Sequence, residues 1–284
     1  MIESQPFTLP GADGQTILGD SHMPDGEVRG VFIVCHGFTG YKDYGFIPWL
    51  AEQAAMHGFI AHRFNFSHSG MTNRVATFER PDLFERDTWS KQIFDLQAVA
   101  TAVRTGRLAG GALPMVWFGH SRGGVTVLLA AARAFASRRD IAPAGVVVAA
   151  APVQPHSLDE AGKRILRKNG FMDSPSSRTK QMLRVGRGWL DEMESEPQAF
   201  DPLEAMARVE CPSLIVHGEM DATVPVEAAQ LYAQVGGARA TVRVLENANH
   251  VFNGRNPLPR DKPAPRQLLG LGEAVMAFAA RCVE

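Results

Sequence analysis

The sequence predicts an α/β fold: a mostly parallel twisted sheet with helices on both faces. Three observations predict it. Short apolar, β-branched runs alternate with helical patterns over most of the 284 residues, as in parallel sheets covered on both faces. An apolar run at 114–118 and an alanine- and leucine-rich run beginning at 125 are joined by Gly119-His120-Ser121-Arg122-Gly123-Gly124, a strand, a sharp turn and a helix with a serine at the apex. The alternation breaks once, between 150 and 213, which an insertion at the carboxyl edge of the sheet would cause.

Residues 8–23 read as an opening antiparallel hairpin, with its turn in the Gly/Asp-rich stretch 11–14. Core strands are expected at 31–35, 59–64, 114–118, 145–150, 213–216 and 241–245, where β-branched and aromatic residues cluster. Helices are expected at 47–57, 88–104, 125–137, 226–234 and 266–281. Within the interruption, amphipathic patterns at 158–168 and 179–193 predict a small helical lid, residues 153–210, inserted between core strands of a single domain spanning 1–284. Long excursions at this edge often carry substrate contacts. The lid's basic residues, among them Lys163, Arg164, Arg167 and Arg184, read as a solvated helix face, with an anion contact as the alternative.

Composition narrows the function. A hydrophobic content of 45%, a charged content of 21% and a net charge of −1 describe an ordinary globule with no electrostatic case for nucleic acid or an anionic membrane as partner. Residues 1–10 carry no basic region followed by an apolar stretch, and no run reaches the roughly eighteen apolar residues of a spanning helix. A cytoplasmic location is expected. Cys35, Cys211 and Cys282 are odd in number and lack Cys-x-x-Cys spacing, so free thiols are expected rather than a disulfide framework or a zinc site. No dinucleotide, phosphate-loop or His-Glu-x-x-His motif is present, and no cofactor or metal is expected.

The chemistry centres on Ser121. A tight strand-to-helix turn holds its central residue in strained geometry and leaves no room for a Cβ two residues to either side, which suits Gly119 and Gly123. A serine hydroxyl needs a base in hydrogen-bond reach, and the base needs a group that fixes its tautomer and stabilises its cation. His156, His217 and His250 follow Ser121. His250 is the best placed, in the polar loop Asn247-Ala248-Asn249-His250 after the last apolar strand. Asp221, after the strand at 213–216 and a glycine turn, is the carboxylate candidate, with Glu219 as its alternative. Asp201 before Pro202 reads as a turn or helix cap. Two backbone N–H groups should face the developing negative charge. Arg122, opening the helix, supplies one, and Phe38, in His36-Gly37-Phe38-Thr39-Gly40 after the first core strand, supplies the other.

These residues resemble the α/β-hydrolase superfamily over nearly the whole span 31–250, with the chain order Ser121, Asp221, His250 and a lid where many members carry one. The loop from His36 to Lys42 is similar to that of small bacterial carboxylesterases of the cinnamoyl/feruloyl type and of serine-aminopeptidase-like hydrolases. The resemblance implies a serine hydrolase acting on a small-molecule acyl substrate. Carboxylic esters are the expected substrates; amide or thioester cleavage on the same residues and a non-enzymatic ligand-binding role are the alternatives. Where many relatives carry Asp-x-x-Gly-x-Gly-x-Ser, this chain reads Asn65-Phe66-Ser67-His68-Ser69-Gly70, a bulkier stretch expected to reshape one pocket wall. His68 within it reads as a solvated loop histidine or a substrate contact.

Overall fold

The computed structural model describes residues 4–284. The chain opens with a hairpin, β1 (Ser4–Pro10) and β2 (Thr16–His22). There follow β3 (Gly30–Cys35), α1 (Ile47–Met56), β4 (Phe59–Asn65), a short α2 (Pro81–Glu85), α3 (Trp89–Arg104), β5 (Met115–His120), α4 (Arg122–Ser137) and β6 (Gly145–Ala149). An excursion holds α5 (Glu160–Asn169), β7 (Phe171–Pro175), β8 (Met182–Gly186), α6 (Gly188–Ser195) and α7 (Pro202–Arg208). The chain then returns through β9 (Ser213–Gly218), α8 (Glu227–Gly236), β10 (Ala240–Leu245) and α9 (Arg266–Cys282).

The main sheet has eight strands in the order β1-β2-β4-β3-β5-β6-β9-β10. The six from β4 to β10 run parallel, and the opening hairpin joins them antiparallel through β2 on β4. Because successive side chains of a strand point to opposite faces, Val31, Ile33, Met115 and Trp117 enter one core, with Ile93, Leu96 and Val99 of α3 and Val125 and Leu128 of α4. Phe32, Val34, Val116 and Phe118 enter the other, with Ile47 and Leu50 of α1 and Leu271 and Val275 of α9. Burial on both faces explains why the central strands are continuous apolar runs rather than alternating ones.

The excursion differs from its expected all-helical form. Residues 158–168 do give a helix, α5, which Asp159 caps by accepting the Gly162 N–H at 2.7 Å. The stretch 179–193 is instead a strand followed by a helix: β8 pairs antiparallel with β7, and α6 begins only at Gly188. Two competing periods explain the difference. Leu183, Leu190 and Met193 sit at near-helical spacing, yet from Met182 to Gly186 the chain alternates exposed and covered positions. Leu183 is buried with Tyr41, Met71, Phe78 and Phe84, and that cluster fixes the strand. Asp201 caps α7 as expected, accepting the Leu203 and Glu204 N–H groups. Among the described residues no helix is long and apolar enough to cross a membrane.

Candidate active site

Three loops meet at the carboxyl ends of the parallel strands. The first is the turn between β5 and α4. Ser121 has φ 55° and ψ −123°, a left-handed conformation that costs a non-glycine residue on the order of 1–3 kcal/mol and persists only where its surroundings enforce it. The enforcement is visible. A Cβ on Gly119 would run into the Gly123 carbonyl, and one on Gly123 would lie 2.5 Å from the His36 carbonyl oxygen. The Ser121 N–H donates to the Ala149 carbonyl of β6 at 2.8 Å, locking the turn to the neighbouring strand.

The second loop follows β9. Asp221 turns back so that its Oδ1 accepts the N–H groups of Thr223 (2.8 Å) and Val224 (2.9 Å), while Oδ2 accepts Nδ1–H of His250 at 2.8 Å. Burial alone would raise this carboxyl's pKa. The His217 and His250 imidazoles and the Val224 N–H outweigh that and hold it well below the usual carboxylate range. The third loop follows β10 and carries His250. With its proton on Nδ1, its Nε2 accepts the Ser121 hydroxyl at 3.0 Å. Ser121, His250 and Asp221, named from the sequence, are thus brought into one hydrogen-bonded row.

Glu219 is turned away, its Oε2 accepting the Asn247 N–H at 2.9 Å. His217 lies beneath the row, donating Nε2–H to the Val224 carbonyl at 3.0 Å and standing 3.4 Å from Asp221 Oδ2. His156 sits on the cavity wall, edge-on to Trp189.

The loop after β3 passes close to the elbow: a Cβ on Gly37 would lie 3.1 Å from the Ser121 Cβ. Phe38, next in sequence, lines the same cavity as Ser121 and Arg122. The Arg122 amide is the first of α4 and has no intrahelical acceptor. Among the described residues, neither the Phe38 nor the Arg122 N–H is engaged by a backbone acceptor. His36 fastens this loop to the next one, donating Nδ1–H to the Gly37 carbonyl (2.9 Å) and accepting the Phe66 N–H at Nε2 (3.3 Å). Burial pushes this imidazole down to about 4.

His68 corrects the expectation of a solvated loop residue. It is fully buried, bonded through Nδ1 to the Ser67 hydroxyl at 2.9 Å, with Asp13 3.4 Å from Nε2, and it does not line the cavity. The bulky segment folds inward because Asp95, buried on α3, accepts the Ser67 N–H at 2.7 Å and the Ala12 N–H at 2.8 Å.

Several residues of the site were not singled out in the sequence. His120, beside the serine, donates Nε2–H to the carbonyl of His250 at 2.8 Å and so pins the histidine loop. Trp89 and Trp189 form aromatic walls of a cavity of about 600 Å³ that opens at Ser121. Pro152, Val153, Leu158, Met172 and Val185 bring the excursion into that lining. For His120, its place within the serine turn is the only sequence signal; the tryptophans carry none.

A strained serine between strand and helix, a buried carboxylate and a histidine joining them define the class of an α/β-fold protein with a serine-centred site. The chain belongs to the alpha/beta hydrolase family, whose model matches residues 32–259. Among solved structures it is similar to Est1E from Butyrivibrio proteoclasticus with ferulic acid bound, at 19% identity over 98% of this chain and 99% of that one, with a TM-score of 0.71. It is similar to an esterase domain from Rhodothermus marinus, at 18% identity over 99% of both chains and a TM-score of 0.65. It also resembles a serine hydrolase without a lid from Xanthomonas campestris, at 18% identity over 99% of this chain and 95% of that one, with a TM-score of 0.61. At these identities the likeness is one of fold. No curated protein sequence matches the chain.

Proposed function

We propose that the protein is a serine hydrolase that cleaves carboxylic esters of small acyl groups. Ser121 is the nucleophile, His250 the general base and then acid, and Asp221 the group that holds the imidazole's tautomer and stabilises its cation. The Ser121 oxygen bonds to the ester carbonyl carbon as His250 Nε2 takes the hydroxyl proton. The amides of Phe38 and Arg122 donate to the resulting oxyanion. Collapse breaks the ester C–O bond, and His250 returns the proton to the departing alkoxide. Water, deprotonated by the same imidazole, then releases the acid and frees Ser121. The excursion at 153–210 acts as a lid that supplies the apolar wall for the acyl group.

The observation that carries this reading is the continuous row from Ser121 Oγ through His250 to Asp221, with contacts of 3.0 and 2.8 Å. Cys35, Cys211 and Cys282 are unpaired, which suits a reducing compartment, and we place the protein in the cytoplasm.

A fluorophosphonate probe tests the nucleophile. Labelling of the folded protein that maps to Ser121 and disappears in Ser121→Ala is the expected result; an unlabelled folded protein would show a binding module instead. A parallel panel of 4-nitrophenyl esters and aminoacyl 4-nitroanilides tests the bond type, with the esters expected to be the better substrates.

A further inference from the structure

We infer that Lys42, through buried ion pairs with Asp20 and Asp43, is a positioning residue that keeps the Phe38 N–H aimed at the oxyanion. This inference rests on the reading of Ser121 as nucleophile and of Phe38 as an oxyanion donor, and it adds a residue that touches neither the substrate nor the reacting atoms.

The Phe38 N–H shares a planar peptide group with the Gly37 carbonyl, and across a trans peptide the two point in opposite directions. Whatever fixes that carbonyl therefore aims that N–H. Two donors hold it: the His36 ring through Nδ1–H at 2.9 Å, and the Gly40 N–H at 3.0 Å. The chain between them is strained, since Thr39 has φ 57°, a left-handed conformation that persists in a non-glycine residue only where its surroundings enforce it. His36 secures the entry to this turn, its Nε2 accepting the Phe66 N–H. The exit needs an anchor as well, because the Gly40 N–H stays on the Gly37 carbonyl only if the chain that leaves it is fixed.

The anchor is Lys42, two residues on. Its main chain is held on both sides, the N–H donating to Asn65 Oδ1 at 2.6 Å and the carbonyl accepting from Arg63 Nη1 at 2.9 Å. Its buried ammonium donates to Asp20 Oδ2 at 2.7 Å and to Asp43 Oδ2 at 2.8 Å. Arg63 closes the cluster: it pairs with Asp20 at 2.9 Å and with Asp43, and donates Nε–H to His22 at 3.0 Å. Asp20 and Arg63 stand opposite each other on β2 and β4, so the loop is fastened to two strands of the sheet rather than to another loop. Taking such charges out of water is costly, and well-packed apolar side chains in their place are often as stable or more so. The cluster is thus a weak source of stability, and its geometry falls on the segment whose direction sets the oxyanion amide.

The test reads kcat and KM for 4-nitrophenyl butyrate in Lys42→Met, beside the inhibition constant of a trifluoromethyl ketone of the same acyl length. Ser121 Oγ bonds to the ketone carbon as His250 takes its proton, and the carbonyl electron pair moves onto oxygen, so this inhibitor presents the oxyanion without a leaving group. In Lys42→Met kcat is expected to fall by about tenfold, less than the hundredfold or more of an oxyanion donor removed outright. KM is expected to change by less than about twofold, as for an interaction made only in the transition state, and the ketone to weaken by the factor lost in kcat/KM. Lys42→Arg, which keeps the charge, is expected to recover part of kcat. Asp43→Asn, at the most exposed member of the cluster, with 30% of its side chain exposed, is read in parallel and is expected to show a smaller loss of the same kind, so that a poorly folded Lys42→Met does not decide the matter. A lowered Tm with kcat, KM and the ketone constant all as in the wild type overturns the inference, as does a loss carried by KM alone, since Lys42 is then only structural. If the wild type neither cleaves the ester nor takes the fluorophosphonate label, the nucleophile reading itself fails, and this inference with it.

Discussion

The two walls of the cavity are built on opposite principles. On the sheet side, Ser121, Asp221 and His250 sit in loops where nearly every polar group is answered: the Ser121 N–H by Ala149, the Asp221 carboxylate by two backbone amides and an imidazole, and the His250 carbonyl by His120. On the other side, the excursion offers apolar side chains and its ion pairs lie on the surface, as between Arg167 and Glu194. Arg122 stands at the seam with unanswered donors. Backbone satisfaction fixes geometry, whereas apolar packing fixes only volume, and the proposed reacting groups all sit on the wall whose geometry is fixed.

The contrast is broken most severely at the serine. Ser121→Ala is expected to lower kcat for 4-nitrophenyl butyrate by about 10⁴-fold or more, with His250→Ala comparable and the double variant little worse, because groups acting as a unit are non-additive. Steady-state kinetics at matched folding check it, and a double loss equal to the product of the single losses would separate the two side chains.

Next in size is the elbow backbone. Gly119→Ala drives a Cβ into the Gly123 backbone, where neither partner is a flexible side chain, and is expected to cost about 3 kcal/mol or more in urea unfolding.

Acid probes the buried titratable groups of the sheet and its loops. Burial pushes His22, His36, His62 and His68 down to about 4 and His120 to about 3, from an ordinary value near 6.5. Below that value the unfolded chain binds protons that the folded one refuses, so the stability these groups give is whole above about pH 6.5 and drains away towards pH 4. Asp87 and Asp95 run the other way, since burial raises them to about 6 and 7, and the folded chain takes up their protons first. Five imidazoles against two carboxyls leave a net loss. The apparent Tm is expected to fall steadily from pH 6.5 to 4.5 in a calorimetric series, and a flat or rising profile would show the imidazoles already charged.

The mildest probe lies in the excursion. At Gly188, the first residue of α6, an added Cβ meets nothing. Gly188→Ala is expected to leave stability unchanged or raise it by up to about 1 kcal/mol, measured beside Gly119→Ala in the same denaturant series.

The same division decided what could be read from the sequence. The alternation of apolar strands and helices gave the sheet because each central strand is buried on both faces. The serine turn was legible because glycine spacing is a local signature of backbone crowding, and Asp221 and His250 stood out as polar residues just after apolar strands. The excursion was not legible in detail: from Met182 to Met193 two periods overlap, and burial of Leu183 against Tyr41 and Phe78, residues far away in sequence, selected the strand. His68 was misjudged for a similar reason, since the carboxylate of Asp95 that draws its segment inward lies on another helix. The stacking of Trp89 and Trp189 on Arg122 likewise joins positions that no local pattern links.

The bond from the His120 ring to the main-chain oxygen of His250 ties two distant loops at adjoining points. Ser121, next to His120, and His250 are therefore coupled through the main chain, so a displacement of one loop is passed to the other. On the proposed reading, a rearrangement of the apolar bank could then reshape the cavity without pulling the serine and the imidazole apart.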